Sequence, residues 1–456
     1  MLLLLVWACS KDGDDSNGGN GLVQNVTADP TDVGTVVRVT FDTKEEATAT
    51  VKFGPEDLRY ETPATEKGTH HEVLLVGLPA LTTAHYQIVV GSETDEERTV
   101  ETGTVDPTAF QPLTVTGDGN DLFAGVTMLG SSTRVALLDP EGRYVWTHID
   151  ERPGLFSYRM RLLRDGSGVV YNVANVSGEP TSEGTGLVKV PFDGSGETFV
   201  ALDYMAHDFV ELEDGTFAGI AFKEGPLPDK CKALYTKLGK KTLLGNHIVE
   251  VAPDGTQTEV WDSWDCFDPC VDVSDTLDDP VPEPGWTFTN ALDYDEGTDS
   301  YLVSMRHLSS IASVSRATGE CNWVFGNTPS ATTKPVGEVF KHEHQFEYLR
   351  DQGQMLVFDN DGAGFVSRVL EYAFDPKLPE ADLIWSYDDS DVFSPVLGDV
   401  QRADNGDTMV VWSLAGRLER VTTDGDSVWS AITNAGTVFG FGEHYTSPYE
   451  PTSAPD

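Results

Sequence analysis

Four polar residues in the middle of the chain stand at the ends of strand-like segments. His207 opens one predicted hairpin, Asn290 opens another, and Arg306 follows the second strand of that second hairpin. His344 opens the hairpin after it. A neutral histidine is a good nucleophile toward sulfur or phosphorus, and an arginine fork binds sulfuryl or phosphoryl oxygens. With an asparagine as a further donor, this set predicts transfer of an oxyanion group without a metal.

Each of these residues alone has a simpler interpretation. A single histidine at a strand start is usually a hydrogen-bonded packing residue, and an arginine after a strand usually forms an ion pair. Their shared position at the ends of successive inner strands is what favours a site. Two points stay open, because Arg306 is followed by His307, and because His342 and His344 alternate on one segment, so either can face inward.

The elements that position these residues are copies of one repeat. From about residue 105 onward, an apolar strand, an Asp/Gly turn and a strand ending in Trp or Phe recur at intervals of about 50 to 65 residues, which is a propeller signature. The six copies are VALLDPEGRYVW (135–146), LVKVPFDGSGETFV (187–200), IVEVAPDGTQTEVW (248–261), ASVSRATGECNWVFG (312–326), EYAFDPKLPEADLIW (371–385) and LERVTTDGDSVW (418–429). A second hairpin precedes most copies. The pattern predicts an all-β chain in which residues 105–456 form a six-bladed β-propeller.

Residues 21–104 form a separate pattern of short alternating strands between Asp, Pro, Gly and Thr turns. The segment around Leu81 and Tyr86 resembles the tyrosine corner of fibronectin type III domains. We therefore expect an N-terminal β-sandwich of the fibronectin III or immunoglobulin type, with no chemistry of its own.

The first 20 residues resemble the end of a bacterial lipoprotein signal followed by a tether. An apolar run leads to Cys9, the expected lipidation site, and SKDGDDSNGGNG follows. This predicts an exported periplasmic or cell-surface lipoprotein held to the membrane by its lipid. The remaining cysteines, Cys231, Cys266, Cys270 and Cys321, favour two disulfides over a metal site, with the pairing left open.

The charge of the chain is strongly acidic. It holds 30 Lys plus Arg against 75 Asp plus Glu, a formal net charge of −45. Such a surface repels nucleic acids and anionic lipid head groups, so a nucleic-acid partner is not expected. The acidity is best interpreted as a source of solubility.

Four motifs carry a resemblance to a known family. They are HDFVELEDG (207–215), WTFTNALDYDEG (286–297), the segment from LVSMRH to WVFG (302–326), and H-x-x-x-x-L-x-x-x-G-x-x-L-x-FDN (344–360). They resemble the bacterial aryl-sulfate sulfotransferases. The resemblance implies a six-bladed periplasmic propeller that moves sulfuryl groups between phenols, with no nucleotide sulfate donor or other cofactor.

Site roles follow from the same resemblance. It implies a ping-pong reaction through a sulfated His344, with His207, Asn290 and Arg306 at sulfate-binding and acid–base positions. His307, His342, Phe288 and Asn360 are the expected substrate-binding neighbours.

Two positions depart from the family pattern. Phe288 stands where a histidine is usual, and a phenyl ring neither donates a hydrogen bond nor passes a proton. Glu343 replaces a glutamine, and a carboxylate facing the channel would disfavour a sulfated intermediate. The alternatives are a propeller that binds a sulfated or phenolic ligand without turning it over, and a surface interaction protein.

Overall fold

A computed structural model describes residues 21–119, 122–130, 132–175, 184–237, 239–273, 285–362, 366–389, 392–434 and 436–450. The described chain is all-β, as predicted from the alternating patterns. Its helices are short: α1 (Lys232–Lys237), α2 (Ser263–Cys266) and the 3₁₀ turns Arg306–Leu308, Arg350–Gln352 and Ser413–Ala415. No described helix is long and apolar enough to cross a membrane. The predicted signal, tether and Cys9 lie outside the described residues.

The first seven strands form two antiparallel sheets, with the orders β1-β2-β5 and β4-β3-β6-β7. The strands are β1 (Val23–Pro30), β2 (Val37–Ala47), β3 (Ala49–Gly54), β4 (Tyr60–Glu61), β5 (Gly68–Leu75), β6 (Thr83–Val90) and β7 (Glu93–Glu101). Alternation explains their burial, because Val37, Val39 and Phe41 are buried while the residues between them are partly exposed.

Residues from 114 onward build six further sheets. The first half of their strands is β8 (Thr114–Gly117), β9 (Phe123–Leu129), β10 (Thr133–Leu138), β11 (Tyr144–Asp150), β12 (Leu155–Phe156), β13 (Met160–Leu162), β14 (Gly168–Asn175), β15 (Gly186–Pro191), β16 (Thr198–Ala201), β17 (Met205–Glu211), β18 (Phe217–Pro226), β19 (Thr242–Val251) and β20 (Gln257–Asp262). The second half is β21 (Thr289–Asp295), β22 (Ser300–Met305), β23 (Ser310–Ser315), β24 (Cys321–Gly326), β25 (Lys334–Val336), β26 (Phe346–Leu349), β27 (Gln354–Gly362), β28 (Val366–Ala373), β29 (Glu380–Asp388), β30 (Asp399–Arg402), β31 (Thr408–Trp412), β32 (Arg417–Val421), β33 (Ser427–Ile432) and β34 (Val438–Tyr445).

Each repeat predicted from the sequence lies in one of these sheets. Their strand orders are β11-β10-β9-β34, β12-β14-β15-β16 with β13 beside β14, β17-β18-β19-β20, β21-β22-β23-β24, β25-β29-β28-β27-β26, and β30-β31-β32-β33-β8. We call them sheets 1 to 6 in this order. The last strand, β34, pairs antiparallel with β9 in sheet 1, and β8 pairs with β33 in sheet 6. Both ends of this part of the chain are therefore held by strands distant in sequence.

Hydrogen bonds between neighbouring sheets run through all six and return to the first. They are Phe441 N to Tyr158 O at 2.6 Å, Asn172 Nδ2 to His207 O at 3.0 Å, Leu292 N to Asp208 Oδ2 at 3.2 Å, Gln345 Nε2 to Asn290 O at 3.2 Å, Arg402 N to Glu347 Oε2 at 2.5 Å, and Gly442 N to Asp399 Oδ2 at 3.1 Å. These bonds join segments at or next to β13, β17, β21, β26, β30 and β34, which we call the inner strands. The site residues predicted there therefore converge.

The N-terminal sheets share a hydrophobic core with the sheets that follow. Phe53 and Val76 belong to the same buried cluster as Trp146 and Phe192. The hydroxyl of Tyr449 donates to Leu74 O at 2.7 Å and accepts from Val76 N at 2.9 Å. Because these groups are buried, the two parts are packed together rather than linked by a tether.

The described residues hold two disulfides, one within the segment around α1 and α2 and one between α2 and β24. Cys231 pairs with Cys270, and Cys266 pairs with Cys321 in β24. The Asp262 side chain accepts from Trp264 N at 3.1 Å and so caps the start of α2. The prediction of two disulfides is confirmed, and they are compatible with an exported protein.

Candidate functional site

The structure brings five of the predicted site residues into one cluster. His207 lies in β17, Phe288 precedes β21, and His344 precedes β26. The His207 ring is 6.5 Å from the His344 ring and 4.8 Å from the Phe288 ring, measured between centroids. Phe288 stacks on His307 at 5.1 Å, and Arg306 Cζ lies 5.8 Å from the centre of the Phe288 ring. Phe288 therefore occupies the middle of the cluster.

Backbone strain is concentrated at this end of the inner strands. Tyr204, Phe288, His342 and Leu397 all have left-handed φ values, between 46° and 61°. They precede β17, β21, β26 and β30 respectively, one strand in each of sheets 3 to 6. Non-glycine residues are costly in this conformation, and such residues cluster at functional sites. Strain at four successive sheets therefore supports a site here.

His344 is 2% exposed and has a hydrogen bond at each ring nitrogen. Nδ1 lies 2.7 Å from Asn360 Oδ1, and Leu397 N donates to Nε2 at 3.0 Å. Since Nε2 accepts, the proton is on Nδ1. Burial is the main cause that holds the pKa of His344 well below its usual value, and the positive charge of Arg306 is the second. The imidazole is thus neutral, as a nucleophile must be.

Asn360 fixes that tautomer. Its Nδ2 donates to Ser394 O and to Leu397 O, both at 2.6 Å. With both amide hydrogens so used, Oδ1 is left to accept from His344 Nδ1. Asn360 was predicted as a substrate-binding residue, and in this structure it is hydrogen-bonded to His344.

Asn290 uses one of its two amide hydrogens within the protein. Its Nδ2 donates to Glu343 O at 2.7 Å, and its buried Oδ1 has no hydrogen-bond partner among the described residues. The side chain ties the start of β21 to the segment that carries His344. Asn290 therefore helps to position the segment that carries His344.

Glu343 does not carry the charge that its sequence position suggested. Its side chain is fully buried and its Oε1 accepts from Ser304 Oγ at 3.0 Å. Burial raises the pKa of Glu343 to about 8. The group is therefore mostly protonated at neutral pH, which removes the expected repulsion of a sulfated intermediate.

The two histidines of the alternating pair differ in exposure and in contacts. His342 Nδ1 lies 3.3 Å from Asp361 Oδ2, and its side chain is 22% exposed. His344 is the buried one, in contact with the cluster. His307, the other neighbour left open, has its Nδ1 2.9 Å from Gly285 O.

Three residues of the site were not predicted from the sequence. Tyr158 stacks on His207 at 5.0 Å, and Phe441 lies 6.3 Å from the His344 ring. Burial raises the pKa of Tyr158 to about 12, so its hydroxyl stays protonated. Tyr158 lies just before β13, as Phe288 lies just before β21. The same position in this repeat was therefore a signal for a site residue. The third residue, Leu397, acts through its backbone and leaves no sequence signal.

Deeper along the inner strands lies a network of buried charges. Arg159 contacts Asp208 at 3.1 Å, Asp399 at 2.9 Å and Glu443 at 3.3 Å. Arg159, Asp399 and Glu443 border a cavity of about 120 Å³ that Glu347 also lines. Burial raises the pKa of Asp399 to about 7 and that of Glu347 to about 8. No three described His, Cys, Asp or Glu side chains are placed to hold a metal ion.

Comparison with solved structures gives several distant likenesses. A protein of unknown function from Bacteroides caccae has a TM-score of 0.43 and 12% identity, with 72% of this chain and 98% of that chain covered. A functionally unknown protein from Desulfotomaculum acetoxidans has a TM-score of 0.41 and 11% identity, covering 70% and 99%. A streptogramin B lyase has a TM-score of 0.39 and 12% identity, covering 74% and 99%. At these TM-scores none of them supports a functional argument.

Comparison with curated proteins gives no match. The sequence profile of the arylsulfotransferase (ASST) family, in contrast, matches residues 120–437. This range covers more than half of the chain and contains all eight predicted catalytic and substrate-binding residues. The chain belongs to the arylsulfotransferase family.

Proposed function

We propose that this protein transfers a sulfuryl group from a phenolic sulfate ester to a phenol through a sulfated His344. The observation that carries the proposal is the state of His344, a buried neutral imidazole with its proton held on Nδ1 by Asn360. Only Nε2 then has a lone pair in the ring plane. Family membership supports the sulfotransferase class.

The first half-reaction forms the covalent intermediate. Nε2 of His344 attacks sulfur, the N–S bond forms, and the S–O bond to the aryl ring breaks with its electron pair on the phenolate oxygen. The sulfated ring carries a positive charge that Asn360 Oδ1 stabilises, because it accepts from Nδ1–H. In this proposal a protonated His207 passes its proton to the departing phenolate.

The second half-reaction reverses these changes. His207 takes the proton of the acceptor phenol, whose oxygen attacks sulfur as the N–S bond breaks and the lone pair returns to Nε2. His207 thereby regains its proton. Arg306, close to the same ring cluster, is proposed to hold the charged sulfuryl oxygens.

The finer architectural predictions belong to the same proposal. Sheets 1 to 6 are proposed as the blades of a propeller spanning residues 105–456, supported by the circuit of hydrogen bonds between them. Residues 21–104 are proposed as a fibronectin III-like sandwich, and residues 1–20 as a lipoprotein signal and tether. The protein would then be exported and anchored through Cys9.

A binding protein on the same scaffold is the second candidate. Phe288 favours it, because the ring in the middle of the cluster cannot move a proton. In that case the aromatic faces and Arg306 would hold a phenolic sulfate without cleaving it.

Intact-mass measurement after brief exposure to 4-nitrophenyl sulfate tests the proposal. We expect a gain of one sulfuryl group with release of nitrophenolate, both absent in His344→Ala. A matched control is His85→Ala, since His85 lies in β6 and bonds to Glu97 outside the cluster. Binding of the ester without adduct or nitrophenolate would support the second candidate and reject the first.

A further inference from the structure

The nucleophile is clamped at both nitrogens by one short segment, residues 394–397, which we call the clamp segment. Leu397 N–H donates to His344 Nε2 at 3.0 Å. On the other side of the ring, Asn360 links Nδ1 to the carbonyls of Ser394 and Leu397. Both ring nitrogens of His344 are therefore connected by hydrogen bonds to the clamp segment, Nε2 directly and Nδ1 through Asn360.

This arrangement conflicts with attack from the resting state. A neutral imidazole with its proton on Nδ1 has a single in-plane lone pair, at Nε2. Leu397 N–H already uses it. The same lone pair cannot accept this hydrogen bond and form a bond to sulfur.

We infer that the backbone amide of Leu397 is a positioning group of the site: it holds His344 in the Nδ1–H tautomer at rest and releases Nε2 before transfer. The inference rests on the proposed function. A buried N–H needs an acceptor, and an oxygen of the bound sulfate ester is the acceptor that substrate supplies. Substrate binding thus exchanges one hydrogen bond for another and exposes the nucleophile.

The surroundings confine the movement to the short stretch between Ser394 and Asp399. On one side, Ser394 N donates to Ser367 Oγ at 2.9 Å, and Leu414 N donates to Ser394 Oγ at 3.1 Å. On the other side, Asp399 accepts from Gly442 N and is paired with Arg159. Leu397 between these anchors has a φ of 58°. A leucine in this left-handed conformation is strained. Rotation of the peptide that carries the Leu397 N–H can therefore relieve strain that is present in the resting state.

The wild-type protein gives a first test that needs neither a variant nor substrate. In protein labelled with ¹⁵N-histidine, His344 is assigned by loss of its signals in His344→Ala. We expect a protonated Nδ1 and a hydrogen-bonded, unprotonated Nε2. A proton on Nε2 would overturn the inference whether or not the protein is a sulfotransferase.

Replacing Leu397 by the corresponding α-hydroxy acid gives the second test, because an ester keeps the side chain and removes the N–H. The hydrogen bond from the Leu397 N–H stabilises only the neutral imidazole, because the protonated ring has no lone pair at Nε2. We therefore expect the pKa of His344 to rise when this N–H is removed. We also expect carbethoxylation by diethyl pyrocarbonate to be faster by about 2- to 12-fold, the factor that an ordinary hydrogen bond makes in an equilibrium.

The same ester at Leu378 is the matched control. Leu378 is exposed, and its N–H bonds only to Asp375 O within a turn, at 2.9 Å. An unchanged pKa and unchanged reactivity of His344 in the Leu397 ester would overturn the inference. Both readouts work without sulfuryl transfer, so a failure of the proposed function would show separately, as a missing adduct with 4-nitrophenyl sulfate.

Discussion

Glu343 offers a direct test of how burial sets the charges of this site. Its carboxyl group is fully buried, with Ser304 Oγ on Oε1 and no hydrogen-bond partner for Oε2 among the described residues. Burial raises its pKa from 4.5 to about 8. The folded protein therefore keeps this proton at neutral pH, whereas the unfolded chain loses it near the ordinary value.

The sign of the pH dependence follows from proton counting. Between pH 4.5 and about 8 the folded state binds up to one proton more at Glu343 than the unfolded state. The free energy of unfolding must then fall as pH rises through this window, by at most about 1.4 kcal/mol per pH unit for one proton. Below the window both states are protonated, and above it the full cost of the buried charge is present.

Glu343→Gln removes the titrating group and keeps its size. We expect urea unfolding to show little difference between variant and wild type at pH 5, and a growing advantage of the variant up to pH 8. Asp359, Asp399 and Glu347 also have raised pKa values, so the wild type keeps some slope and only the difference isolates Glu343. Glu320→Gln, at an exposed position, is the control. Parallel curves for wild type and Glu343→Gln would refute the reasoning, because Glu343 would then titrate alike in both states.

Three further predictions concern proton transfer, packing and covalent linkage. Phe288→His adds a second proton donor beside His207 and should raise turnover of aryl sulfates with weakly acidic phenols more than turnover of nitrophenyl sulfate, with about 10²–10⁴-fold, the worth of general acid catalysis as a whole, as the upper bound; equal effects on both donors would contradict this. Tyr449→Phe leaves Leu74 O and Val76 N buried without this hydroxyl and should cost about 1–3 kcal/mol of unfolding free energy in urea titrations; an unchanged midpoint would show that the contact is replaced. Cys321→Ser removes the disulfide between residues 55 apart in sequence and should lower the free energy of unfolding by roughly 4 kcal/mol. The control is the same comparison of wild type and variant in reductant, where the two free energies should be equal.

Convergence of the site could be predicted because it depends on strand periodicity alone. His207 and His344 begin inner strands of different repeats, and repeated hairpins bring such positions together. The two rings indeed lie 6.5 Å apart. The all-β class followed from alternation that is local in sequence, and the existence of two disulfides followed from the even number of cysteines in a chain expected to be exported.

Hydrogen bonding within the site could not be predicted from local patterns. The partners of His344 are 16 and 53 residues away in sequence, at Asn360 and Leu397. One is a side-chain rotamer and the other a backbone N–H in a loop. Asn290 was expected to face substrate, and one of its two amide hydrogens is bonded to Glu343 O. Pairing of the cysteines likewise depended on how α1 and α2 pack.

The charge of the site differs from the charge of the chain. A formal net charge of −45 repels an anionic sulfate ester at long range, but salt at 0.1 M screens exposed charges beyond about 10 Å. Near His344, burial leaves Glu343 mostly neutral, and the positive charge of Arg306 is felt strongly enough to lower the histidine pKa. A glutamate beside the proposed nucleophile is therefore compatible with an anionic substrate, because burial keeps this carboxyl group mostly protonated. The same burial keeps His344 neutral, and the Leu397 amide then decides when its lone pair becomes available.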